Sequence, residues 1–207
     1  MPITAADVEA TVRTTTATLA GARDADWDAL AGTTDWSCWE TVEHLADNFF
    51  FYAAQLGPRV ADTERSVPFA WAQRREGGPG LILYADREAG PAGLLRCVDA
   101  CGALLVAVVR TTPPDVRSHH DDGVLDTEGF AAMAIGETLV HMHDVTTGLR
   151  LPWSPPADLC AHLLTRFFPG APADTDPWAT LLWATGRGDL PGRPRQTGWR
   201  WGVQPSG

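Results

Sequence analysis

Apolar residues recur along this chain at intervals of three and four, the period of an amphipathic helix rather than the alternation of a strand. Val8, Val12, Thr15 and Leu19 keep that spacing behind Thr4 and Asp7, a pair suited to starting a helix. The pattern predicts a first helix from Thr4 to about Leu30, weakened by a break between Gly21 and Asp26. Thr33 to Trp36 reads as a turn. A second helix follows from about Trp39 to Leu56, with Val42, Leu45, Phe49, Tyr52, Ala53 and Leu56 on its apolar face and Gly57-Pro58 as its stop. Residues 58–79 are polar and read as a long connection, and Leu81 to Tyr84 opens the next element.

A third helix is predicted from about Pro91 to Thr111, lined by Leu94, Leu95, Val98, Cys101, Leu105, Val108 and Val109 and closed by Pro113-Pro114. Taken alone, Leu104 to Val109 also fits a strand, but its continuity with a long Ala/Leu-rich segment favours helix. Asp115 to Asp126 reads as a loop. A fourth helix runs from Thr127, as its cap, to a terminator at Gly148. Pro152, Pro155 and Pro156 then form a linker, followed by short helices at about Ala157–Phe168 and Pro177–Gly186 and a Pro/Gly/Arg-rich tail from Leu190 to Gly207. The expected architecture is all-α: a four-helix bundle over residues 1–150 with a short C-terminal helical extension, a cap and tail, over 151–207.

Composition narrows the classes. Of 207 residues, 44% are hydrophobic, enough for a packed core. The longest apolar run, Leu94 to Val109, is interrupted by Arg96 and Asp99, and no membrane partner is expected. The opening MPITAADVEA has neither a basic region nor an apolar core, so a cytoplasmic location is expected. A net charge of −10 argues against nucleic acid as a partner. The four cysteines, Cys38, Cys97, Cys101 and Cys160, form no C-x-x-C pair and read as reduced core thiols, with Cys38 the one to watch for reactivity. There is no phosphate-cradling glycine loop, nucleophile elbow or dinucleotide fingerprint.

The residues that can carry chemistry are Glu137 and His141, four apart and so on one face of the fourth helix. Such a pair is common on helix surfaces. Here it sits in a mostly apolar stretch, GFAAMAIGETLVHMHDV, where buried polar groups need partners and a metal ion is one solution. His44, in ETVEHLADNFF of the second helix, supplies a third ligand. Two imidazoles and a carboxylate leave a coordination position open, as catalytic sites do. His143 is two residues from His141 and faces elsewhere. Asp47 and Asp144, each three residues beyond a candidate ligand histidine, either orient the imidazoles from behind or are solvated carboxylates on the helix face. His119 and His120, in the loop before the fourth helix, are a possible pocket wall. Trp178, Trp183, Trp199 and Trp201 either wall a pocket for a small organic ligand or pack the cap.

The stretch Asp35-Trp-Ser-Cys-Trp-Glu-Thr-Val-Glu-His44-Leu, together with Glu137-x-x-x-His141-x-x-Asp144, resembles the signature of the DinB-like superfamily. It is most similar to the metal-binding domain of the actinobacterial mycothiol-dependent maleylpyruvate isomerases. The resemblance covers about the first three-quarters of the chain. It implies a four-helix bundle holding a divalent metal ion, usually zinc, and a thiol-dependent transferase or isomerase using mycothiol or bacillithiol. Nickel, iron and manganese remain open as the metal. The thiol and a small organic electrophile would be the partners, and the protein a monomer or homodimer. The characterised isomerases carry a larger C-terminal domain than the short segment found here. The resemblance therefore points to thiol transfer onto another substrate rather than to maleylpyruvate isomerisation. Metal-dependent hydrolysis, a non-catalytic metal site closed by His119 or His120, and no metal at all are the alternatives.

Overall fold

The computed structural model describes residues 2–203 and is mostly helical. Six α-helices are present among these residues: α1 Ala5–Leu19, α2 Cys38–Leu56, α3 Gly90–Thr111, α4 Thr127–Leu149, α5 Ala157–Phe167 and α6 Pro177–Ala184. The tail residues 204–207 lie outside the described residues.

Local chemistry sets the helix starts. Asp7 accepts from the backbone N–H of Thr4 at 2.8 Å, opening α1. Ser37 and Glu40 form a reciprocal capping box at the start of α2, with bonds of 3.2 and 2.9 Å. Asp126, not Thr127, caps α4 by accepting from Gly129 N–H at 2.6 Å, while the Thr127 hydroxyl donates to Pro113 O. The first helix is shorter than its pattern suggests. It stops at Leu19 and tightens into a 3₁₀ turn over Ala20–Ala22. Trp27 Nε1 then donates to Ala22 O at 2.8 Å, so the chain folds back instead of continuing.

The all-α expectation needs a correction. Residues read as loops contain two short antiparallel hairpins, β1 Ala72–Gln73 with β2 Gly80–Leu81, and β3 Arg117–His120 with β4 Gly123–Asp126. In the second, Arg117 pairs with Asp126 and His120 with Gly123, and Ser118 and His120 point inward. Four-residue strands that bury Ser118 and His120 in one and Leu125 and Asp126 in the other give no hydrophobic alternation to detect. Leu104 to Val109 is helical.

The four long helices pack in the cyclic order α1, α3, α2, α4. Phe49, Leu45, Leu94, Leu105, Phe130 and Leu139 are fully buried between them. Phe167 of α5 and Leu181 of α6 belong to the same apolar cluster, so the C-terminal helices share the core. By length and composition α3 is apolar enough to cross a membrane. Its Leu94, Val98, Cys101, Leu105 and Val109 are buried within the fold, while Leu104 is exposed. Gly148 is not the terminator of α4. The helix runs on to Leu149 and is closed by Arg150 in the left-handed region, at φ 58°. Gly148 instead lets α4 approach the loop before α2: a Cβ there would stand 2.4 Å from Leu30 O and 2.5 Å from Cys38 Sγ.

Candidate metal centre

α2 presents His44 toward α4, which presents Glu137 and His141 from successive turns. Glu137 Oε2 lies 3.1 Å from His141 Nε2 and 3.8 Å from His44 Nε2. The three donor atoms all fall within 4.8 Å of one another. It is the one such cluster of three potential ligands among the described residues. Two neutral imidazoles and a carboxylate are a donor set that suits a divalent cation.

The three groups perturb one another's protonation. Burial depresses the His44 imidazole, against the pull of Glu137. Burial alone would raise the Glu137 carboxyl, but the hydrogen bonds and charges of the two imidazoles outweigh it and hold the group well below the usual range. His141 is held above its ordinary value: burial opposes the charged form, but Asp144 and Glu137 together outweigh it.

The surrounding residues fix these side chains. The Trp36 ring lies against both imidazoles, with centroids 5.0 Å from His44 and 6.1 Å from His141. The Asn48 amide is 3.1 Å from His44 Nε2. Behind His141, Asp144 Oδ2 sits 3.3 Å from Nδ1, off the line of a well-formed hydrogen bond. Asp144 is gripped by Arg187, whose Nε and Nη2 donate to the carboxylate at 2.8 to 3.1 Å. Glu137 Oε1 accepts from Trp201 Nε1.

The sequence-predicted residues divide accordingly. His44, Glu137, His141 and Asp144 come together. Asp47 does not stand behind His44: its Oδ1 accepts from the backbone N–H groups of Ile82 and Leu83 at 2.9 and 2.7 Å, so it pins the chain after β2. Burial pushes its carboxyl up to about 6, with those two bonds opposing. His119 and His120 lie on β3, outside the donor cluster. His119 Nδ1 meets Ser66 Oγ at 3.0 Å, and His120 packs between Tyr52 and Phe130. His143 faces Trp178. Burial pushes the thiols of Cys38 and Cys101 up to about 11 and that of Cys160 up to about 12, so Cys38 is no reactive thiolate.

Sequence reasoning missed Trp36, Asn48 and Arg187, and it placed Trp201 in the cap without its bond to Glu137. One signal was legible. Gly136 interrupts the run of strong helix formers in α4 immediately before Glu137 without breaking the helix, and a mid-helix glycine is a signal of close packing.

Residues 8–146, about two thirds of the chain, match the mycothiol maleylpyruvate isomerase N-terminal domain. The chain belongs to that family. No curated protein and no solved structure matches it. The match takes in the three donors and Asp144, so the chain is a member of a mycothiol-related, DinB-like group and carries a candidate metal centre within the matched region. Arg187 and Trp201 lie beyond the matched region.

Proposed function

We propose that this protein is a DinB-like four-helix bundle that binds one divalent metal ion through His44, Glu137 and His141. We propose further that it is a thiol-dependent transferase or isomerase, with mycothiol as co-substrate and a small organic electrophile as acceptor. The observation that carries this reading is the convergence of two imidazole nitrogens and one carboxylate oxygen within 4.8 Å. Zinc suits that donor set best, with nickel, iron and manganese as alternatives. When bound, the ion supplies Lewis acidity that favours the thiolate form of a thiol.

The chain's own residues do the rest. Arg187 holds Asp144, Asp144 backs His141, and Trp36 shields the imidazoles from water. Burial raises the thiols of Cys38, Cys101 and Cys160, which makes these three poor nucleophiles at neutral pH. A hydrolase would need a carboxylate free to take a proton from water. Asp144 is committed to Arg187, and Glu137 to the imidazoles and Trp201.

The test begins with elemental analysis of untagged protein beside the His44→Ala, His141→Ala double variant. About one equivalent of metal in the wild type and little in the variant is expected, because removing two of three ligands removes most of the affinity. Metal-loaded protein should then consume mycothiol in the presence of an electrophile panel, and the variant should not. Absence of metal from the wild type even after reconstitution refutes the site. Metal without thiol consumption refutes the transferase reading alone.

A further inference from the structure

The C-terminal segment is seated on the fold by close approaches at three separate places, one of them beside the candidate metal centre. Trp201 is buried, its ring packed edge-on against Phe167 and Trp199 and tilted against Phe168. It lies across α4 at Gly136, where a Cβ would stand 2.9 Å from the ring. The next residue, Gly202, donates its N–H to Phe167 O at 3.1 Å, and a Cβ there would meet that same oxygen at 2.4 Å. Val203 lies over Gly123, whose φ is 146° and whose Cβ would be 3.2 Å away. A glycine inside a helix is unfavourable for helix formation. Gly136 makes sense as the opening that admits the indole. The result is directional: Trp201 Nε1 donates to Glu137 Oε1, while Oε2 is the oxygen that faces His141 and His44.

We propose that Trp201 is a positioning residue of the metal centre, engaging Glu137 Oε1 so that the carboxylate meets a divalent cation through Oε2 alone. The inference rests on the metal-binding reading above and goes beyond the family match, which ends at residue 146. A carboxylate free to bind through both oxygens would change the coordination number, and a buried indole N–H would lose its acceptor at the same time. Outer residues that orient ligands are commonly worth 10- to 100-fold in metal affinity.

The experiment uses cobalt(II) as the probe in the full chain, because its visible absorption reports coordination number. Trp201→Phe keeps an aromatic ring and removes the donor. Gly136→Ala keeps the donor and pushes the ring away. Both variants should bind cobalt(II) about 10-fold or more weakly in chelator competition. Both should also show a weaker, shifted visible band, while far-ultraviolet circular dichroism stays helical. Should Trp201→Phe fail to fold, Gly136→Ala decides alone. Wild-type affinity and spectrum in a folded variant overturn the inference and leave the metal reading intact. A wild type that takes up no cobalt overturns the metal reading itself, and this inference with it.

Discussion

Replacing Arg187 by methionine tests how much the C-terminal segment holds the site together. Asp144 is 1% exposed and Arg187 carries three close contacts to it, at 2.8, 3.0 and 3.1 Å. Methionine fills much of the volume but leaves a buried carboxylate with only His141 beside it. Removing one partner of a buried ion pair costs about 3–5 kcal/mol, since the remaining charge stays desolvated. The low end, about 3 kcal/mol, is expected here because His141 Nδ1 remains at 3.3 Å. With a urea dependence of roughly 2–3 kcal/mol per molar for a chain this size, the midpoint should fall by about 1 M or more. Metal-free protein in chelator, followed by circular dichroism through a urea series, measures it.

The pH dependence gives a second check on the same variant. In the wild type, burial would raise Asp144, but His141 and Arg187 hold it below its ordinary value of 3.8. Its contribution is therefore complete above that value and is lost as pH falls through the lower, folded one. Without Arg187 the carboxyl rises, and the variant recovers stability on acidification as the buried charge is neutralised. The gap between the two proteins should be widest near pH 7 and narrow toward pH 4. Groups common to both, His44 and Glu137 among them, largely cancel in the difference. A loss below about 1 kcal/mol, or a gap that does not narrow, would refute the assignment of Asp144–Arg187 as a buried ion pair.

Three further outcomes are expected. Asp47 ionises at about 6 when folded against 3.8 as its ordinary value, so wild-type stability is eroded as pH rises through that window. Asp47→Asn should gain on the wild type by about 2 kcal/mol between pH 4 and 7, and a constant difference in urea midpoints would sink the idea. Gly148→Ala should destabilise by about 1–3 kcal/mol in the same assay, because the new methyl meets the backbone oxygen of Leu30 and the buried Cys38 sulfur. Arg150→Gly, at φ 58°, should stabilise by up to about 1 kcal/mol in thermal melts; a lower melting temperature would argue against strain at that cap.

The long helices and the Glu137–His141 pair were legible because helical spacing and i,i+4 placement are local properties of the chain; His44, on another helix, entered only as a third donor with the family signature around it. The hairpin at Arg117–Asp126 was not, because most of its buried residues are polar and Ser118 and His119 are held by the carbonyls of Gln55 and Asp62, distant in sequence. Asp47 was read as facing His44 from its spacing alone. What it binds is the backbone at Ile82 and Leu83, 35 and 36 residues away, and no local pattern carries that. The same holds for Arg187 and Trp201, which reach Asp144 and Glu137 across 43 and 64 residues. Gly148 misled for a physical reason. A glycine near a helix end usually supplies a left-handed residue, but this one supplies room, and Arg150 adopts the left-handed turn instead.

The cyclic packing of the helices bears on how the chain reaches its folded state. α2 and α3 follow one another in sequence and share the most extensive helix contact, so they can pair while little of the chain is ordered. α4 packs on α1 and α2, and closing that contact needs a far longer loop. Until it docks, His44 has neither Glu137 nor His141 beside it and offers a cation a single imidazole. On the proposed metal-binding reading, tight cation binding would become a timing signal for the arrival of α4. Stopped-flow refolding with a metal indicator would separate that late step from the earlier pairing of α2 with α3.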